Sequence, residues 1–368
     1  MEFIIPKDVL VRGIRRTLGI TEKKTTLPIL NNVLIKAKKD GIVTCATDLE
    51  ITLIARLEAQ VVEEGEFTIS ARKLYDFVRV APEGMVTIKG NPGGMVSISS
   101  EKVLCRMPTV SVDDFPVVEE EVASLLYEIN PIYLIKMIDK TVFAISQDEA
   151  RPALSGGFLE VEGNILKMVG TDGYRMALLG VAMEKPLPLE KGIIIPRAGL
   201  LEMRKILEEG GGDSPWLMGI EKNFFVLKSD KVFFKANLIG GDFPDYRRIL
   251  KQEEGNCILC DREELMMALE RVNVISSEGY GGVILNVASD YVILSADDTR
   301  WGNAQAEINI DYGGEPFTVG YNINYLLSVI EAVDEREVIL EIRKEARPTF
   351  VKGKGNESFL GVVMPLKM

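Results

Sequence analysis

The chain has 368 residues, of which 46% are apolar and 27% charged, and its formal net charge is −12. This length predicts two or three globular domains, and the apolar and charged fractions exclude a disordered chain. The surplus of acid argues against a nucleic-acid partner unless the cations are concentrated in one place. Histidine is absent, which excludes Ser-His and Cys-His nucleophile pairs and metal sites built on imidazole.

The first predicted elements are a short strand, EFII, and an amphipathic helix over residues 7–18. Alternating segments follow, and Asp40-Gly41 indicates a hairpin between two of them. The stretch FTISARKLYDFVRV (67–80) then runs from a strand into a second amphipathic helix. The motif DDFP (113–116) closes this set of elements, and the acidic run VVEEEVA (117–123) has the composition of a linker.

The same order of elements returns twice along the chain. The first strand and helix recur as YEI with a helix over 131–143, and as CIL with a helix over 261–272. The second strand and helix recur as IIIPRAGLLEMRKIL (193–207) and as FTVGYNINYLLSVI (317–330), with the last helix predicted over 320–331. We therefore predict an α+β protein of three tandem repeats, with domains at 1–120, 121–250 and 251–368.

Each repeat also has an aspartate between two apolar runs. CATDLEITLIA, VGTDGYRMALLG and LSADDTRWGNA place Asp48, Asp172 and Asp297 at steps of 124 and 125 residues. Domains in series hold equivalent residues apart, so we interpret these acids as turn formers rather than as a catalytic cluster. Cys257 and Cys260 have the spacing of a metal knuckle, but on a strand side chains three apart point to opposite faces. We expect no catalytic residue, cofactor or metal.

Four of the six predicted helices have a net positive charge, although the chain as a whole is acidic. The four helices of the first two repeats carry +3, +2, +1 and +2, whereas the two of the third repeat carry −2 and −1. Arg12 and Arg16, like Lys136 and Lys140, are four residues apart and share a helix face. This pattern fits helices that meet a polyanion through salt-sensitive backbone contacts, although solvated helix faces would have the same pattern.

The repeats, the motifs LPILNN, ATDLE, GTDGYR and GDFPDYRR, and the ending VVMPLKM together resemble the bacterial DNA polymerase III beta subunit family, the sliding clamps. The resemblance covers the whole chain. It implies three DNA-clamp domains, each with two helices packed on antiparallel sheets, and a head-to-tail homodimer closed into a ring. The resemblance further implies that this ring encircles double-stranded DNA without sequence preference and has no catalytic activity of its own.

The resemblance implies three groups of site residues. The DNA-facing group is Arg12, Arg15, Arg16, Lys24, Arg72, Lys73, Arg79, Lys136, Lys140, Arg151, Arg197, Arg204 and Lys205. The partner-peptide pocket is Leu154, Thr171, Gly173, Tyr174, Arg175, Met176, Pro244, Arg248, Ile249, Asn322, Tyr325, Val362, Met364, Pro365 and Leu366. The dimer interface is Cys105, Met107, Val274 and Ile275.

The implied partners of the pocket are the DNA polymerase III alpha subunit, clamp loader subunits, other polymerases and repair proteins, all through short peptide motifs. We expect a cytoplasmic protein, because the start lacks a secretory pattern, no apolar run could cross a membrane, and only four cysteines are present. Two other interpretations stay open: a tandem-repeat peptide-binding scaffold that does not act on DNA, and a hydrolase with unpaired carboxylates.

Overall fold

The computed structural model of the chain describes residues 1–23, 25–91, 93–122, 124–148, 150–184, 187, 189, 191–210, 214–250, 255–276, 281–343 and 347–367. The candidate DNA-facing residue Lys24 lies outside these ranges. The chain forms two compact units: Met1–Ile135 with Ala198–Leu238, and Lys136–Arg197 with Ile239–Met368. Each unit combines segments from both sides of a predicted domain boundary, so the division at 120 and 250 stays a prediction.

The helices follow the predicted amphipathic segments closely. They are α1 (Lys7–Thr21), α2 (Ala71–Val80), α3 (Pro131–Thr141), α4 (Arg197–Glu209), α5 (Arg247–Leu250), α6 (Arg262–Asn273) and α7 (Ile323–Glu331). The predicted start of the last helix at residue 320 is wrong, because the preceding strand extends through Asn322. The Asn322 side-chain oxygen accepts hydrogen bonds from the backbone amides of Asn324 and Tyr325, and this N-cap fixes where α7 begins.

The first unit contains two antiparallel sheets. Its strands are β1 (Glu2–Pro6), β2 (Asn32–Lys38), β3 (Gly41–Thr47), β4 (Ile51–Leu57), β5 (Gln60–Glu63), β6 (Gly65–Ser70), β7 (Met85–Asn91), β8 (Met95–Ser100), β9 (Val103–Pro108), β10 (Tyr127–Ile129), β15 (Trp216–Glu221), β16 (Phe224–Lys228) and β17 (Val232–Asn237). One sheet has the order β5-β1-β7-β8-β9, and the other β10-β15-β16-β17-β4-β3-β2-β6.

The second unit repeats this arrangement. Its strands are β11 (Gly156–Glu162), β12 (Ile165–Thr171), β13 (Arg175–Ala182), β14 (Ile193–Pro196), β18 (Asn256–Asp261), β19 (Gly282–Val287), β20 (Tyr291–Asp298), β21 (Gly302–Asn309), β22 (Phe317–Asn322), β23 (Glu337–Ile342), β24 (Thr349–Gly353) and β25 (Phe359–Val363). The sheet orders are β14-β11-β12-β13-β25-β24-β23-β18 and β21-β20-β19-β22. The α+β prediction is confirmed.

Helices pack on the apolar faces of the sheets. In the first unit, Leu10 and Ile14 of α1 are buried in one cluster with Ile35 and Leu57. Gly13 allows this contact, because a Cβ at that position would lie 2.3 Å from Leu57 Cδ1. The period-3.6 spacing in the helix and the period-2 spacing in the strands therefore meet in one core. Among the described residues, no helix has the length and apolar content to cross a membrane.

The hairpin aspartates form turns, as predicted for two of the three. Oδ1 of Asp48 accepts from the amides of Glu50 and Ile51, and Oδ1 of Asp172 accepts from those of Tyr174 and Arg175. In the third repeat the equivalent residue is Asp298, whose Oδ1 accepts from the Arg300 amide. The assignment of Asp297 is wrong by one position, because strand register and not sequence step defines the equivalence.

Candidate functional site

The hairpin between β12 and β13 is the centre of the candidate pocket. Gly173 has φ of 89°, a left-handed conformation that glycine adopts without strain. Thr171 Oγ1 donates to the Arg175 carbonyl at 2.7 Å and accepts from the Gly173 amide at 3.1 Å. With the Asp172 bonds, these contacts fix the turn and hold Tyr174, which is 54% exposed, at its tip.

Arg175 connects this hairpin to α7. Its Nε lies 3.1 Å from Asp172 Oδ2, and its Nη1 donates to Ser328 Oγ. The guanidinium carbon also lies 4.7 Å from the centre of the Tyr325 ring, and Tyr174 stacks on Tyr325 with ring centres 6.0 Å apart. Burial, with the nearby Asp172 charge, raises the pKa of Tyr325. The result is a rigid, mostly aromatic surface with one partly buried cation.

The end of the chain forms the next part of this surface. Met364 donates its amide to the Tyr174 carbonyl at 2.8 Å, and Leu366 donates to the Gly320 carbonyl at 2.8 Å. Pro365 forms an isolated bridge with Tyr321, at the edge of β22. Because these bonds fix the tail backbone, the partly exposed side chains of Met364 and Leu366 stand beside the hairpin.

The remaining pocket candidates differ in burial. Met176 and Val362 are paired across β13 and β25 and lie in one buried cluster, against which Ile249 packs. Pro244 and Arg248 are exposed, and Arg248 pairs with Asp245 at 3.0 Å. Leu154 is half-buried at the end of a short 3-10 helix that also contains Pro152, and Asn322 is the cap of α7.

A buried carboxylate anchors the segment that carries Pro244 and Arg248. Glu160 accepts a hydrogen bond from the Tyr246 hydroxyl, and Arg247 Nη2 lies 2.7 and 2.6 Å from its two oxygens. Glu160 and Tyr246 are both buried. The motif FPDYRR therefore fixes its own position through Tyr246 and Arg247 and leaves Arg248 to solvent.

The cationic helices of the first unit hold most of their charges in ion pairs. Both Arg15 and Arg16 of α1 contact the Glu209 carboxylate at the end of α4, and Arg16 also donates to the Glu209 carbonyl at 2.6 Å. The Glu209 contact raises the pKa of Arg15. Arg72 of α2 is 3.1 Å from Asp76 and 3.0 Å from Glu22.

The second unit also holds cations of its helices in ion pairs. Lys140 of α3 contacts Asp334, just beyond α7, and donates to the Ala332 carbonyl at 2.6 Å. Lys136 lies 3.7 Å from the same carboxylate. Nine candidate DNA-facing residues are ion-paired: Arg12, Arg15, Arg16, Arg72, Lys136, Lys140, Arg151, Arg204 and Lys205. Lys73, Arg79 and Arg197 have no ion-pair partner among the described residues, and Arg79 lies 5.9 Å from the Tyr75 ring centre.

Sequence reasoning missed Glu209 and Asp334. An acid at the C-terminal end of a helix opposes the helix dipole, so it indicates a compensating cation elsewhere. An acid at or just beyond the C-terminal end of a helix was therefore the feature of the sequence that could have identified Glu209 and Asp334. The cations that supply the compensation are distant in sequence, 193 residues from Glu209 in the case of Arg16.

The four candidate interface residues are all at least partly exposed. Cys105 and Met107 are half-buried on β9, the last strand of its sheet. Val274 is largely exposed directly after α6, and Ile275 is half-buried. None of the four cysteines is in a disulfide, and within the described ranges no cluster of acid and thiol groups could hold a metal ion.

Comparisons with known proteins find similarity to one protein family along the whole chain. Family models match three successive segments: DNA polymerase III beta subunit, N-terminal domain (residues 1–119), central domain (128–245) and C-terminal domain (247–367). Proteins named beta sliding clamp from Pseudomonas putida and Pseudomonas aeruginosa are 31% and 29% identical, with both chains fully covered. A crystal structure of the Pseudomonas aeruginosa DNA polymerase III subunit beta matches at 28% identity with a TM-score of 0.92, again over both full chains. A Caulobacter crescentus pol III beta structure, 29% identical, has a TM-score of 0.91, and the match covers 100% of both chains.

Proposed function

The chain belongs to the DNA polymerase III beta subunit family, and from this membership we propose that it is a DNA sliding clamp that encircles duplex DNA and tethers the replicative polymerase. The observation that carries the proposal is the match of all three successive domains, from residue 1 to residue 367. We propose further that the chain is a non-catalytic subunit and works in the cytoplasm.

The ion-paired helices support a sliding mode of DNA contact. Cations that already have carboxylate partners offer a phosphate only part of their charge, so each contact is weak and easily exchanged. A ring needs no tight contact, because topology keeps it on the DNA. The helices of the first two repeats are the proposed DNA-facing elements.

Head-to-tail closure is supported by the sheet edges. β9 and β21 are edge strands of two different sheets, one in each unit, and they differ in sequence. When two unlike surfaces join head to tail and a twofold axis relates the two copies, the assembly closes into a dimer and does not grow into a filament. The proposed dimer therefore has two identical joints.

The aromatic surface around Tyr174 and Tyr325 is the proposed partner site. Exposed apolar side chains on a rigid backbone, with one fixed guanidinium at Arg175, suit a short peptide with apolar anchors and a polar group. A structure of the Pseudomonas aeruginosa sliding clamp is described as bound to griselimycin. The proposed occupants are peptide motifs of the polymerase alpha subunit, the clamp loader and repair proteins.

Retention on circular DNA tests this function directly. Clamp loaded onto a nicked circle in moderate salt should stay bound and should be lost when the circle is linearised, because only topology holds it. Light scattering should report a particle of about twice the 40.8 kDa chain mass. Equal loss from circular and linear DNA would refute the topological mechanism and favour a peptide-binding scaffold that does not act on DNA.

A further inference from the structure

Phe143 lies beside the partner pocket and belongs to none of the site groups described above. It follows α3 in a single 3-10 turn, Val142–Ala144. The guanidinium carbon of Arg175 lies 5.5 Å from the centre of the Phe143 ring, in addition to its distance of 4.7 Å from the centre of the Tyr325 ring. Two aromatic rings from two different elements therefore contact one guanidinium of the pocket, at distances where a cation and a ring attract each other.

The position of Phe143 is fixed by the residues on either side of it. Thr141 and Ala144 are fully buried, and the Thr141 hydroxyl donates to the Met137 carbonyl at 2.7 Å. The Thr141 carbonyl lies directly against β12, because a Cβ at Gly170 would be 2.4 Å from its oxygen. Since the backbone is held in this way, the half-buried Phe143 ring has little freedom to move away from the pocket.

The same end of α3 contacts α7 at a second place. Lys140, whose side chain is 13% exposed, contacts the Asp334 carboxylate and donates to the Ala332 carbonyl at 2.6 Å, just beyond the C-terminal end of α7. Tyr325 lies in the first turn of α7 and contacts Arg175. The end of α3 is therefore joined to α7 directly beyond its last turn and, through Arg175, in its first turn.

The contacts of Arg175 restrict two different movements of its guanidinium. Nε lies 3.1 Å from Asp172 Oδ2, and Nη1 donates to Ser328 Oγ, so these two bonds hold the nitrogen atoms in place. Contact with the two aromatic rings restricts the tilt of the planar group. Because Tyr325 contacts this guanidinium and stacks on Tyr174, a change of tilt would displace both tyrosine rings.

We propose that Phe143 is a positioning residue of the partner pocket: its ring fixes the tilt of Arg175, and Arg175 in turn fixes the two tyrosine rings. A pocket that is already ordered loses less conformational freedom when a peptide binds, so its affinity is higher. The inference rests on the proposed partner site. It adds to that site a residue from the turn after α3, a helix proposed to face DNA, that acts without contacting the peptide.

Replacement of the ring tests this role in a binding assay. Phe143→Leu keeps an apolar side chain but removes the aromatic ring, and it should raise the Kd for a fluorescein-labelled peptide from the clamp-binding segment of the polymerase alpha subunit about fivefold. Phe143→Tyr keeps the ring and should stay within about twofold of the wild type. Phe317→Leu is the matched control, because Phe317 is also half-buried and its ring packs edge-on against Tyr312. It should leave the Kd unchanged.

A double-mutant cycle separates positioning from a merely structural role. If Phe143 acts through Arg175, then Phe143→Leu should have no further effect on the peptide Kd in a chain that already carries Arg175→Met. A structural loss would instead lower the urea midpoint of unfolding in both backgrounds and leave the Kd unchanged. Effects of the two substitutions on the Kd that simply add would overturn the positioning role.

The mobility of the guanidinium can also be measured without a peptide. In a chain with 15N-labelled arginine, the Nε–H signal of Arg175 is identified by its absence from the spectrum of Arg175→Met. Its hydrogen should exchange with water faster in Phe143→Leu than in the wild type, whereas Phe317→Leu should leave the rate unchanged. An unchanged rate in Phe143→Leu would contradict the inference.

These outcomes separate the inference from the proposed function. A wild type that binds the peptide and loses it on deletion of residues 364–368, with no effect of Phe143→Leu, overturns the inference and leaves the partner site standing. A wild type that does not bind the peptide overturns both.

Discussion

Neutralising Glu209 should strengthen the contact with DNA. The substitution Glu209→Gln removes one negative charge and keeps the shape of the side chain. Arg16 is 12% exposed and keeps its bond to the Glu209 carbonyl, which the substitution does not touch. Arg15 is 53% exposed and loses the one ion pair that it forms with the described residues, so Arg15 is the cation that becomes available to a phosphate.

The size of the effect follows from the count of freed cations. One added phosphate contact steepens the slope of log K against log salt by about 0.9. Between 50 and 200 mM salt, the variant should then lose about 3.5-fold more affinity than the wild type loses. The helix end remains capped by Arg16, so the cost in folding free energy should be about 1 kcal/mol.

Fluorescence anisotropy with a short labelled duplex, repeated across that salt range, measures the slope. Glu58→Gln is the matched control, since it removes the same charge from the first unit at an exposed pair with Lys231 that no predicted DNA-facing residue shares. Equal slopes for Glu209→Gln and Glu58→Gln would refute the reasoning, because a general change in net charge would then account for any gain.

Three further predictions concern the pocket, the anchor of its flanking segment and the buried thiols. Deleting residues 364–368 should abolish binding of a polymerase-derived peptide, measured by anisotropy, while light scattering still reports a dimer. Tyr246→Phe leaves Glu160 without one donor and should lower the free energy of unfolding in urea by about 1.5–3 kcal/mol, and an unchanged midpoint would contradict the anchoring role. Burial raises the pKa of the Cys45 and Cys260 thiols from 9.0 to about 12, so at pH 8 iodoacetamide should label them only in denaturant. Because the folded state holds these protons more tightly, their contribution to stability is complete below pH 9 and is lost as the pH rises toward 12.

Local patterns were sufficient for much of the fold. The repeat of strand, helix and hairpin is visible in the sequence because helix faces and strand faces have fixed periods, and because turns need particular residues at particular positions. The hairpins at Asp48 and Asp172 could be predicted for this reason. The third hairpin was assigned to Asp297 instead of Asp298, since it has a different length and only the pairing of β20 with β21 shows the shift.

The sequence by itself determined that the chain contains three similar α+β repeats, that its cations lie on helices, and which family it resembles. Only the tertiary structure decided that most of those cations are already neutralised, that Met176 and Val362 are buried beneath the pocket hairpin, and that β9 and β21 are edge strands of their sheets. The physical reason is distance along the chain. The periodicity of apolar residues reports only how a residue contacts its near neighbours along the chain. The ion-pair partner of a cation can lie 194 residues away, and the packing of the folded chain determines which residue it is.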